Sequence, residues 1–395
     1  MDNFYFYTPT KIYFGKDEEN KVGKIIKEFN VNKVLIVYGG GSIVKSGLLE
    51  KVKSFLDIEG ISHIEFGGVT PNPELSKVRE GIKLGIDNKI DFVLAIGGGS
   101  VLDAAKDISH GIANPEDDVW EYRTTAKKPC KSLKKGSILT LSAAGSEMSN
   151  SSVLTNTEIN KKSGFVSDLN KMDFSILNPE LTYSVSNYQT GCGAIDIAMH
   201  SIERYFALGV ESGLTDDICL TIVKDAFKYG KQCYDNPTDY NARANMMWAG
   251  SLSHNGLTGC GRTFLLTVHQ LEHALSGVYP EIAHGAGLAA LWCSWARYVY
   301  KSNISRWVNY VRKVWDVDPN LEDESAILEG IDRQEEYYQS VGMPIGLKEL
   351  NVKEEDLERL ALLTTNNKNR IIPGYKDLAY EDVLEIFKMA YNRQK

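Results

Sequence analysis

Five residues between positions 196 and 284 have the types and spacing of a metal site. Asp196 and His200 lie four apart in GAIDIAMHSIERYF, and His269 and His273 lie four apart in VHQLEHAL. Residues i and i+4 share a helix face, so each pair can reach one point. His284 follows in IAHGAGLAAL. The chain has 7 histidines, and three of them fall within residues 269–284. A lone histidine is usually a packed or surface residue. A carboxylate and several imidazoles at helical spacing point instead to a divalent ion. The pattern is not H-E-x-x-H, which argues against a zincin peptidase. One carboxylate with three neutral imidazoles leaves a formal charge of about +1 on a divalent ion. That suits Fe(II), Zn(II) or another first-row metal acting as a Lewis acid on a carbonyl or alkoxide oxygen.

A second kind of chemistry lies in the first hundred residues. The apolar run Lys33–Tyr38 (KVLIVY) is followed by Gly39, Gly40, Gly41 and Ser42. The run Asp91–Ile96 (DFVLAI) is followed by Gly97, Gly98, Gly99 and Ser100. Glycine lets the backbone approach a phosphate closely, and the helix that follows offers free N–H groups and a positive dipole end. Ser100 is placed to cap a helix over residues 101–110. Neither turn is a G-x-G-x-x-G fingerprint or a P-loop, and for each the alternative is a tight strand–helix turn with no ligand. No acid follows Tyr38, whereas Ser42 and Lys45 are near. An acid there would hold a ribose 2′-OH, and its absence leans towards a 2′-phosphate, hence NADP(H) over NAD(H).

The elements that carry these residues differ between the two halves. Up to about residue 180, short continuous apolar runs alternate with amphipathic stretches. Besides the two runs above, residues 63–66, 137–141, 152–155 and 174–177 read as strands, and a helix is expected after Ser42 through about Phe55. Continuous rather than alternating strands mean burial on both faces, as in a parallel sheet covered by helices. From about Asn187 onward only helix-length patterns occur, for example 194–206, 216–234, 243–256, 267–275, 287–300 and 381–391. The expectation is an α/β dinucleotide-binding domain with a mainly parallel sheet over residues 1–183, and an all-α metal-binding and substrate domain over 184–395. A cleft between two such domains is a usual place for a small-molecule site.

Composition narrows the function classes. The 395 residues are 43% hydrophobic and 24% charged, with a formal net charge of −8. An acidic chain repels phosphate backbones, so no nucleic-acid partner is expected. No run approaches the ~18 apolar residues of a membrane span, and the opening lacks a basic segment followed by an apolar one. The six cysteines form no C-x-x-C pair. Reduced thiols in a cytoplasmic enzyme are expected.

Taken in order, the motifs resemble those of the iron-containing, group III alcohol dehydrogenases, in the branch of butanol dehydrogenases and NADPH-dependent aldehyde reductases. The resemblance runs from FYFYTPTKIYFGK and YGGGSIVKSGLL through FGGVTPNPEL, AIGGGSVLDAAK and SILTLSAAGSE. It continues through NPELTYSV, GAIDIAMHSIE, RANMMWAGSLSHNGL and HQLEHALSGVYPEIAHGAGLA. It implies a dehydroquinate synthase-like fold of two domains and a homodimer. It places the metal ligands at Asp196, His200, His269 and His284, with Fe(II) first and Zn(II) next as the ion. It places cofactor contacts at Gly40, Ser42, Gly98, Gly99, Ser100, Asp103, Thr140 and Lys162. It sets His273 beside the nicotinamide as a proton relay, and it implies a small alcohol or aldehyde as substrate.

Two departures stand out. His269 and His284 are fifteen apart where the family usually has fourteen, so residues 278–283 must absorb one loop residue. Ala144 stands where many relatives have threonine. A lyase of the dehydroquinate synthase type would need Lys and Arg for an anionic substrate, whereas Met199, Trp248, Leu252, Leu265, Leu266 and Leu271 flank the ligands. A metal-storage protein would not need glycine turns. Oxidation of NADPH by butanal separates the three readings. The β-rich opening, residues 4–8 and 11–14, is expected to pair either across a dimer or within its own sheet.

Overall fold

The computed structural model describes residues 1–207, 212–263 and 266–393. Leu265, one of the apolar residues flanking the ligands, lies outside them. Two compact units emerge, Tyr7–Ser184 and Val185–Lys395 with Met1–Phe6. Residues 1–6, expected with the α/β domain, group with the helical one because Asp2 N–H donates to the Gly261 carbonyl at 2.9 Å and Met1 packs on Gly261.

In the α/β unit the elements are β1 (Lys11–Phe14), α1 (Val22–Lys27), β2 (Lys33–Tyr38), α2 (Ser42–Lys45), α3 (Leu48–Ile58), β3 (Ser62–Phe66), α4 (Leu75–Asp87), β4 (Phe92–Gly97) and α5 (Gly99–Ala113). Then follow α6 (Glu121–Thr124), β5 (Lys134–Leu139), β6 (Ser151–Asn156), β7 (Lys161–Val166) and β8 (Phe174–Leu177). Six strands form one sheet in the order β1-β8-β5-β4-β2-β3, every pair parallel. Val34–Val37 and Phe92–Ile96 are wholly buried, which is why these strands read as unbroken apolar runs. The opening strand Lys11–Phe14 pairs with β8 at one edge of its own sheet.

Three local expectations are corrected. The helix expected through Phe55 breaks at Gly47, whose φ of +77° favours glycine. The run 152–155 belongs to a separate antiparallel hairpin with β7, which the sequence reading did not identify. Helix α5 starts at Gly99 because extended Gly98 serves as its N-cap, so Ser100 sits in the first turn and does not cap.

The helical unit contains α7 (Asn187–Tyr205), α8 (Gly213–Asp235), α9 (Tyr240–His254), α10 (Thr267–Val278), α11 (His284–Val299), α12 (Ile304–Trp315), α13 (Asp323–Ser340), α14 (Leu357–Thr364) and α15 (Tyr380–Asn392). Ser186 caps α7 by accepting from Gln189 N–H at 3.3 Å. From Thr190 to Tyr205 every residue of α7 is buried, and the helix packs against α8, α9 and α11. Met199 and Leu271, two of the apolar residues that flank the ligands, are fully buried in this core. Among the described residues no helix is long and apolar enough to cross a membrane.

Candidate metal centre and cofactor turns

Helix α7 brings Asp196 and His200 onto one face, with Asp196 Oδ1 and His200 Nδ1 3.3 Å apart. Helix α10 contributes His269, whose Nε2 lies 3.7 Å from the same oxygen. His284, the first residue of α11, places its Nε2 at 3.9 Å. Donors about one divalent ion at bonds of ~2.0–2.2 Å stand about 3.4 Å apart in a tetrahedron. Asp196, His200 and His269 bring ligand atoms within 4.8 Å of one another, while His284 groups in the same way with Glu272 and His273 and reaches the first group through Asp196. The oxygen and two of the nitrogens are buried polar atoms without a hydrogen bond: Asp196 Oδ1, His200 Nδ1 and His269 Nε2. Buried polar atoms are normally satisfied, so a donor set left this way fits a cation. His284 is the most open of the four, 23% exposed against 4–5% for the others, so any entry side is at His284.

Gly285 explains how His284 reaches this point. A Cβ there would lie 2.2 Å from the Cys192 carbonyl oxygen, so only glycine lets the start of α11 touch α7. The 279–283 link between α10 and α11 forms a turn in which Ile282 N–H donates to the Tyr279 carbonyl at 3.1 Å. The Tyr279 hydroxyl in turn binds Asp356 at 2.5 Å.

Three residues that the sequence reading missed complete the centre. Glu203 on α7 binds His269 Nδ1 and also accepts the Val268 N–H. Glu272 on α10 binds His284 Nδ1 and the Ser276 hydroxyl. Each glutamate fixes one ring nitrogen, so that Nε2 turns to Asp196, the usual arrangement behind metal-bound histidines. Their signal was visible: Glu203 is seven residues from Asp196 and Glu272 three from His269, both helical repeats. The third is His254, at the end of α9, whose ring centre is 4.0 Å from that of His200. Burial, and then the neighbouring His254 and His269 rings, hold the His200 imidazole well below its usual range. Burial also acts against charge on His269, but Glu203 and Asp196 outweigh it and raise the pKa to about 9. His273 stands on α10 with its ring centre 5.9 Å from that of His284.

In the α/β unit the two glycine turns meet at one place. Strand β2 has β3 on one side and β4 on the other, and β4 leads on to β5. The strand order therefore reverses between β2 and β4, and the C-terminal ends of strands at such a point are where open α/β sheets bind ligands. Gly40 and Ser42 follow β2, Gly98, Gly99 and Ser100 follow β4, and Thr140 follows β5, its N–H donating to the Gly97 carbonyl at 3.0 Å. A Cβ on Gly40 or Gly41 would meet nothing within 4 Å, which leaves room for a ligand. At Gly98 it would meet Leu141 at 3.0 Å, and at Gly99 it would meet Ala144 at 3.0 Å. The other two cofactor candidates lie on α5 and β7 rather than in the turns themselves. Lys162 is half-buried on β7, paired with Thr155, and the Asp103 carboxylate is bound by the protein's own donors.

A parallel-sheet unit with glycine turns at its reversal point, in one chain with a helical unit that carries a candidate Asp/His metal cluster, is the arrangement of dehydrogenases built from a nucleotide-binding and a metal-binding domain. The model of the family "Iron-containing alcohol dehydrogenase" matches residues 9–179, and that of its C-terminal domain matches residues 190–391. The chain belongs to the iron-containing alcohol dehydrogenase family and is an alcohol/aldehyde oxidoreductase of that family. It is 39% identical to NADH-dependent butanol dehydrogenase A of Clostridium acetobutylicum, over 99% of this chain and 100% of that protein. It is 32% identical to the NADPH-dependent aldehyde reductase YqhD of Escherichia coli, over 91% and 92%. The crystal structure of NADH-dependent butanol dehydrogenase A from Thermotoga maritima superposes with a TM-score of 0.95 at 35% identity, covering 99% of each chain.

Proposed function

We propose that this enzyme interconverts small uncharged aldehydes and primary alcohols, such as butanal and butanol. The observation that carries the reading is the set of unsatisfied buried donors, Asp196 Oδ1, His200 Nδ1 and His269 Nε2, facing one point beside His284. Asp196, His200, His269 and His284 would hold one divalent ion, Fe(II) first and Zn(II) next. When bound, the ion supplies Lewis acidity towards a carbonyl oxygen, and the nicotinamide supplies the hydride. Glu203 and Glu272 hold the imidazoles of His269 and His284 in one tautomer. His273, one helical turn from His269, supplies a proton to the product oxygen from a ring nitrogen. Replacing it (His273→Ala) should keep the metal and NADPH binding, lower kcat for aldehyde reduction about 10²-fold and remove the alkaline limb of that pH profile, where a proton donor is lost. Weaker cofactor binding with an unchanged pH profile would take His273 out of the mechanism.

We assign NADP(H) as the preferred cofactor because residues 39–46 contain no carboxylate and Gly40 is open. The opposite reading, NAD(H), is favoured by four relatives named as NADH-dependent, or probable NADH-dependent, butanol dehydrogenases. A panel of aldehydes assayed with NADPH and NADH, with and without Fe(II) or Zn(II), tests both the activity and the preference. A higher kcat/KM with NADH overturns the NADP(H) assignment, and no turnover with either overturns the function. A carboxylate at the open turn (Gly40→Asp) should swing the ratio towards NADH, since repulsion of a 2′-phosphate is of order 1–3 kcal/mol at short range. Six unpaired cysteines suit a reducing, cytoplasmic setting, and a homodimer is the assembly the family resemblance supports.

A further inference from the structure

Asp103 and Asp107 lie one turn apart on α5, the helix that starts at the Gly98 turn. Asp103 Oδ1 accepts from Ser146 Oγ at 2.6 Å and from Lys106 Nζ at 3.3 Å, and its Oδ2 accepts the Val153 N–H at 3.0 Å. The fully buried Lys106 also donates to Ser146 Oγ and to the Ser151 carbonyl, each at 2.7 Å. Asp107 accepts two N–H groups of Arg123, at 3.0 and 2.5 Å, and the Ser152 hydroxyl at 2.5 Å. Arg123 Nε donates to the carbonyl of Ser163, next to Lys162, at 3.1 Å. One face of α5 is thus tied to the loop 140–149 through Ser146, to β6 through Ser151–Val153 and to β7 through Ser163. The same loop closes on the glycine turn, where Leu141 and Ala144 stand 3.0 Å from the positions of a Cβ on Gly98 and Gly99.

We propose that Asp103 and Asp107 are positioning residues that do not touch the cofactor. They fasten the 140–149 loop and the β6–β7 hairpin to α5, and so set the width of the Gly98–Gly99 turn and the place of Lys162. The inference rests on the reading of that turn as the cofactor's diphosphate site. It replaces the direct contact that the family pattern implied for Asp103. The charge argument agrees, because a free carboxylate beside a diphosphate is repulsive, whereas this one is matched by Lys106 and by hydrogen bonds from Ser146 and Val153.

Dissociation constants for NADPH and NADH, read by fluorescence titration, test it on Asp103→Asn, Ser146→Ala, Lys106→Met and the double variant Asp103→Asn/Ser146→Ala. Each single change should weaken the preferred nucleotide about 10-fold, the size of one lost charge-assisted hydrogen bond. The double variant should be no weaker than the worse single, because both remove one shared interaction. The cofactor KM should rise with kcat nearly constant, and amide exchange across residues 141–153 should quicken. Unchanged binding in Ser146→Ala and Lys106→Met, or a multiplicative loss in the double variant, overturns the proposal. Ser146→Ala removes a single hydroxyl, so it and Lys106→Met carry the test alone if Asp103→Asn does not fold. Wild-type protein that binds neither nucleotide would refute instead the underlying reading of the turn.

Discussion

At the scale of single residues, Glu203 and Glu272 decide what the histidines can do. An imidazole has two nitrogens, and the one left for a cation is set by what holds the other. Here both glutamates take Nδ1, so Nε2 of His269 and of His284 turns to Asp196 Oδ1. Neutralising one of them (Glu203→Gln) should lower metal affinity about 10–100-fold while the fold is kept. Elemental analysis after dialysis against graded chelator measures this, and an unchanged retention curve counts against the role. Removing a proposed ligand outright (His200→Ala) should abolish both bound metal and turnover. Near-normal metal content in that variant would show the ligand set to be wrong.

At the scale of elements, α7 is the axis of the helical unit, buried along its length after the first turn. Two glycines allow its neighbours to approach. A Cβ on Gly230 of α8 would lie 2.3 Å from Ala194 Cβ, and one on Gly285 of α11 would lie 2.2 Å from the Cys192 carbonyl oxygen. The second contact is with backbone, which cannot rotate away. Gly285→Ala should therefore push α11 outward, cost about 1–3 kcal/mol as overpacking does, and carry His284 away from Asp196. Denaturant unfolding and metal content should fall together. A stable variant with full metal content would mean that the close approach does not place His284.

At the scale of the whole molecule, buried titratable groups in the α/β unit give its stability a predictable pH dependence. Burial, and then the nearby Lys135, Arg123 and Lys106 cations, push His110 down to about 3, although its Nε2 is bonded to Asn170 Oδ1 at 2.7 Å. In the unfolded chain histidine titrates near 6.5. Between these values the unfolded chain binds a proton that the folded chain does not. Stability therefore falls as pH drops from about 6.5 towards 3, by up to about 1.4 kcal/mol per pH unit from this group. Lys135, pushed down to about 8 by burial, acts in the same sense at alkaline pH, so its cost is relieved as pH climbs above 8. Urea unfolding from pH 4 to 7 should show a flatter slope in His110→Gln, which keeps a donor for Asn170 but does not titrate. An identical slope would remove His110 from the account.

Local periodicity is what the residue pattern alone makes legible. Unbroken apolar runs marked the inner strands of a parallel sheet, because burial on both faces leaves no alternation to read. A spacing of four put Asp196 with His200 on one helix, because the α-helical repeat is fixed by the backbone. Whether a nitrogen faces a neighbour or solvent depends on residues that sequence distance does not reveal. The partners of the Asp103 carboxylate include Ser146 and Val153, 43 and 50 residues away, and only the packed loop and hairpin bring them to it. The same holds for Met199 and Leu271, apolar residues beside the ligands in sequence that the packed bundle buries in its core. It holds too for β6, whose strand pattern carries no mark that it pairs with β7 in a separate sheet. Tertiary structure decided these points because they depend on which surfaces meet, and a one-dimensional pattern records the faces of an element without naming what covers them.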